Sequence, residues 1–96
     1  MAETIEVENI NTPGRTSPVN AAKYAAMRDA MLKVMSNSPP GDTATEIKEA
    51  AKAHLPADLF PAGKAAGWWQ KTVQLDLEAK GVVRRADTKP LRFHLV

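Results

Sequence analysis

The chain has 96 residues, enough for one domain with a single core and a binding surface, and too few for a deep catalytic cleft as well. It contains no cysteine, which excludes disulfides, thiolate nucleophiles and zinc–thiolate sites and suits a reducing compartment, the cytoplasm by default. Thirteen Lys and Arg against 11 Asp and Glu leave a formal charge of +2, a mildly basic balance compatible with a nucleic-acid partner.

No apolar run approaches the ~20 residues that span a bilayer. Glu3, Glu6 and Glu8 stand where a secretory signal needs an apolar region, so neither membrane nor secretion is expected. Residues 1–17 read as an extended segment and residues 18–96 as the domain proper. Thr4-Ile5-Glu6-Val7-Glu8 alternates apolar and charged residues, which fits either a short strand or a frayed tail. As a strand it would lie third beside a hairpin further along the chain. Asn11-Thr12-Pro13-Gly14 reads as a turn.

Ser17-Pro18 predicts the start of a first helix, with serine at the cap and proline in the first turn. Tyr24, Met27, Met31 and Val34 recur at spacings of three and four and form its core stripe. Pro39-Pro40-Gly41 lies beyond its end. Thr43-Ala44-Thr45-Glu46 matches a capping box and opens a second helix carrying Ile47, Ala50, Ala51 and Leu55. The connection over 56–67 holds two prolines and two glycines, with Leu59 and Phe60 tucked beneath it as a satellite of the core. A third helix runs from about Gly67 to Lys80 and stops at Gly81. Trp69, Val73 and Leu77 share one face; Trp68, Thr72, Leu75 and Ala79 lie opposite. Strands at 82–86 and 91–96 flank a turn at Asp87-Thr88-Lys89-Pro90. With that four-residue turn, Arg85 faces Arg92.

The predicted class is therefore mainly α with a small β-hairpin (α+β): three helices followed by a two-stranded wing, a winged helix-turn-helix order. Leu77-Glu78-Ala79-Lys80-Gly81-Val82-Val83-Arg84 carries the step from helix to wing. The Gly67-Trp68-Trp69 pair, with Thr72-Val73-Gln74-Leu75-Asp76-Leu77-Glu78-Ala79-Lys80-Gly81, Lys23-Tyr24-Ala25-Ala26-Met27, Leu59-Phe60-Pro61 and Thr88-Lys89-Pro90-Leu91-Arg92, resembles a family of small bacterial proteins of unknown function. The resemblance covers nearly the whole chain and implies no activity.

The wider likeness to winged-helix DNA binders implies a surface map. The third helix would meet the major groove of duplex DNA through Lys71, Thr72 and Gln74, and Arg84, Arg85, Lys89 and Arg92 would contact phosphates, as expected of a transcription regulator. The alternative is a protein-interaction or assembly domain, as a homodimer or with another protein, using an apolar face of Trp68, Leu75 and Ala79. An enzyme is not expected: no serine or threonine stands at a motif spacing from histidine, and Gly63-Lys64 is only a fragment of a phosphate loop. His54 and Asp58 flank Pro56, and His94 reads as an exposed strand residue, so neither a metal nor a cofactor is expected.

Overall fold

In the computed structural model, which describes residues 3–96, the chain opens with a hairpin. Strand β1 (Thr4–Glu8) pairs antiparallel with β2 (Thr16–Asn20), Ile5 opposite Val19 and Val7 opposite Ser17. The alternation in β1 buries Val7, while Ile5 stays partly in water. The boundary expected between residues 17 and 18 falls inside β2. Pro18 is a strand residue opposite Glu6 rather than a helix starter, a position a proline tolerates because β2 has a free edge.

Helix α1 (Ala21–Val34) starts three residues later than expected, capped by the Asn20 side chain, which accepts from the Lys23 amide at 3.0 Å. Its predicted stripe is buried: Tyr24, Met27 and Met31 enter the core. The chain then turns through Gly41 into a two-residue strand β3 (Asp42–Thr43) and helix α2 (Ala44–Lys52). The capping box is complete. Thr43 Oγ1 accepts from the Glu46 amide, and Glu46 Oε1 accepts from the Thr43 amide.

The connection to α3 contains a short 3-10 turn at Pro61–Gly63. Phe60 belongs to the main core rather than to a satellite, with its ring edge-on to Trp69 at 6.4 Å. Helix α3 (Ala66–Ala79) ends in a Schellman turn. Gly81 adopts φ +77, its amide reaches Glu78 O, and the Val82 amide reaches Leu77 O. Strands β4 (Val83–Ala86) and β5 (Arg92–Leu95) follow.

The sheet order is β3-β5-β4. The third strand beside the C-terminal hairpin is thus Asp42–Thr43, and the N-terminal segment forms its own two-stranded sheet. Gly41 makes the β3 contact possible: a Cβ there would lie 2.0 Å from Phe93 O. The wing register is offset by one residue from expectation, with Arg85 opposite Phe93 and Ala86 opposite Arg92. The two arginines therefore do not face each other.

The three helices pack on one another around Met27, Met31, Ile47, Val73 and Leu77, with Val83 and Phe93 closing the core from the sheet. The architecture is α+β, with three helices and two small antiparallel sheets. No helix among the described residues is long and apolar enough to cross a membrane.

Candidate functional site

Helix α3 is buried on more than one side, and its polar residues show how. Asp76 is fully buried. One carboxylate oxygen accepts from the Glu8 amide of β1 at 2.8 Å, the other from the Tyr24 hydroxyl of α1, and Lys80 Nζ lies 2.8 Å from both. A buried carboxylate is tolerable only when its charge and lone pairs are met in this way. Burial, and then the adjoining Asp76, push the Tyr24 phenol well above its ordinary range. The N-terminal hairpin is thereby fastened to α3, and Leu75, on the side away from the helical core, is buried with it.

A second polar row runs along α3 at the four-residue spacing that brings side chains together. Gln70 Nε2 donates to Gln74 Oε1 at 2.8 Å, and Gln74 Nε2 reaches Glu78 Oε2 at 3.4 Å. Glu78 is met by a two-pronged guanidinium, Arg85 Nε and Nη2 at 3.0 and 3.1 Å. The same guanidinium lies over the Phe93 ring at 5.6 Å.

These contacts sort the expected site residues. Gln74 is buried within its row and Arg85 is paired to Glu78, so neither projects freely toward a ligand. Arg92 donates to Gly41 O at 3.0 Å and lies 3.5 Å from Glu46. The Glu46 carboxyl is held below its ordinary range chiefly by the Thr43 amide, with a smaller contribution from Arg92. Lys71, Arg84 and Lys89 are exposed and pair with no carboxylate among the described residues. Thr72 is half-buried.

Of the apolar face expected of Trp68, Leu75 and Ala79, the structure brings Trp68 and Leu75 to one cleft beside the hairpin and leaves Ala79 outside it. Trp68 is 57% exposed and Ala79 is exposed, but Leu75 lies beneath the hairpin. His94 is buried rather than exposed, its Nδ1 3.0 Å from Leu95 O, because the β3 strand and the Ser36 carbonyl bring neighbouring chain onto β5. His54 is exposed. No group of three potential metal ligands gathers among the described residues.

What the structure does bring together is a groove of about 650 Å³ between α2, α3 and the wing. Lys48 and Lys71 line it, Gln70 and Gln74 contribute polar groups, and Leu91 and Asn11 add to its walls. Lys48 was not singled out from sequence, although it lies one turn into a helix whose capped start was legible. Asn11 had no such signal, since nothing local says where the hairpin loop will dock.

The molecule is thus a small α+β domain whose third helix is partly enclosed by an N-terminal hairpin. The model of a family of unknown function (DUF6958) matches residues 4–93, and the chain belongs to that family. No curated protein and no solved structure matches it.

Proposed function

We propose that this chain is a winged-helix DNA-binding domain that engages duplex mainly through phosphates, in the manner of a transcription regulator. The observation that carries the reading is the groove beside α3, where the ammonium-bearing side chains of Lys48 and Lys71 stand in its wall next to the exposed Gly67 at the start of that helix. Recognition helices contact base edges with their N-terminal residues, and in this part of α3 Gly67 and Lys71 are exposed beside the groove. Ala65 supplies no side-chain cap to the first amides of α3, and Gly67 in that turn is exposed, which suits a phosphate near the helix start. The order α1-β3-α2-α3-β4-β5, with β3 completing the wing sheet, supports the same reading.

Few side chains suited to base edges remain free, since Gln70 and Gln74 bond to their own helix neighbours. Binding is therefore weakly selective for sequence and steeply dependent on salt. The test is an anisotropy titration of a labelled mixed-sequence duplex at low and then moderate salt. Binding should fall as salt rises, and Lys48→Glu with Lys71→Glu should abolish it. Lys33→Glu on α1 should change it little. Absence of binding at low salt would overturn the reading.

A further inference from the structure

The hairpin does not close fully onto α3. Between them lies a cleft of about 570 Å³ whose walls differ in chemistry. Val7, Val19 and Leu75 supply apolar surface, Trp68 an aromatic wall, and Glu8 and Arg15 charged groups.

Trp68 is braced without being buried. Its ring stands edge-on to Trp69 at 4.9 Å and 80°, and Trp69 is itself 7% exposed and fixed in the core. A planar group stacking on Trp68 would meet a ring already held in place, so little side-chain freedom is lost on binding. Arg15 is exposed and pairs with no carboxylate among the described residues.

We infer that this cleft binds one nucleotide unit, with its base stacked on Trp68 and its phosphate on Arg15. The inference deepens the nucleic-acid reading and rests on it for the class of ligand. Stacking on an aromatic ring suits any base, because every base has a π-face. Glu8 adds a preference, since a carboxylate accepts from the exocyclic amino groups of adenine, cytosine or guanine and finds none on thymine. The charged rim disfavours a wholly apolar occupant, which would strip water from both ions without replacing it. The nucleotide has two possible sources, a free mononucleotide or an unpaired residue of a strand.

The experiment separates them. Adenosine 5′-monophosphate and a short single-stranded oligodeoxyadenylate are titrated into the full chain by calorimetry, with the amide shifts of Arg15 and Leu75 followed in parallel. Saturable binding is expected, weakened about tenfold or more by Trp68→Ala, less by Trp68→Phe, and also by Arg15→Ala. Tighter binding of the oligonucleotide assigns the site to a strand; equal or tighter binding of the monophosphate assigns it to the free nucleotide. Binding of neither, or binding that Trp68→Ala leaves unchanged, overturns the inference. Duplex binding without nucleotide binding overturns this inference alone, and nucleotide binding without duplex binding overturns the duplex reading alone.

Discussion

The amide of Glu8 donates to Asp76 across 68 positions of sequence, at 2.8 Å, and this bond fastens the N-terminal hairpin to the third helix. The same carboxylate receives Tyr24 and Lys80, so three elements share one buried charge. Asp76→Asn keeps the shape but removes the charge that Lys80 neutralises and one of the acceptors. The loss expected is about 3 kcal/mol of unfolding free energy, measured by urea denaturation. Amide exchange in residues 4–20 should accelerate more than in α2, because the hairpin loses its tie while the helical core keeps its packing.

Tyr24 gives a pH dependence with a defined sign. It is the chain's one tyrosine, so tyrosinate absorbance reports a single group. Its folded-state pKa is raised above the ordinary value of 10.0, by burial first and by Asp76 second. A raised pKa means that the folded state holds the proton where the unfolded state releases it. The associated stability is fully present below pH ~10 and declines as pH rises beyond that value. Tyrosinate should therefore appear together with unfolding rather than before it, and Tyr24→Phe should flatten the alkaline decline. Ionisation near pH 10 in a still-folded chain would contradict the buried bond.

Local chemistry made much of this fold legible. The Thr43/Glu46 capping box, the Gly81 stop and the Trp69/Val73/Leu77 face each depend on residues within a turn or two of one another. What stayed hidden depends on distant partners. Ser17-Pro18 resembles a helix start until Thr4–Glu8 pairs with it, and β3 is two residues long, too short for any periodicity. Leu75 looked like a free apolar residue because its cover arrives from the opposite end of the chain. The wing register differs by one residue because five residues, 87–91, rather than the four of the expected turn separate the paired Ala86 and Arg92. Gln70, Gln74 and Glu78 stand at a visible four-residue spacing, but only the fold shows that this row is buried.

Glycine and alanine should exchange with opposite consequences at two positions. Gly41 combines φ +86 with a Cβ position 2.0 Å from the Phe93 carbonyl oxygen, so Gly41→Ala must separate β3 from β5. A loss of about 3 kcal/mol or more is expected, against roughly 1 kcal/mol for Gly14→Ala, where φ is +84 but nothing lies within 4 Å. Ala65 holds φ +63 with a side chain that disfavours it. Ala65→Gly should raise stability by about 0.5 kcal/mol, the relief of strain exceeding the added freedom of the unfolded chain. Thermal denaturation of the three variants checks the order.

Arg84 and Arg85 are neighbours with different work, and their variants should separate stability from binding. Arg85 neutralises Glu78, whose side chain is 2% exposed, while its own is 35% exposed. Arg85→Ala leaves a buried carboxylate without its cation, and a loss of about 2 kcal/mol is expected after allowing for solvent screening of the guanidinium. Arg85→Met should cost less when paired with Glu78→Gln, since the charge to be neutralised is then gone. Arg84 meets no carboxylate among the described residues, so Arg84→Ala should shift stability by no more than ~0.5 kcal/mol. If Arg84 contacts phosphate, the same variant weakens duplex binding uniformly across sequences and lowers the slope of affinity against salt by about one counterion. Equal losses of stability in both variants would mean that Arg84 has a structural partner. An unchanged salt slope in Arg84→Ala would remove it from the phosphate contacts and leave Lys48 and Lys71 to carry them.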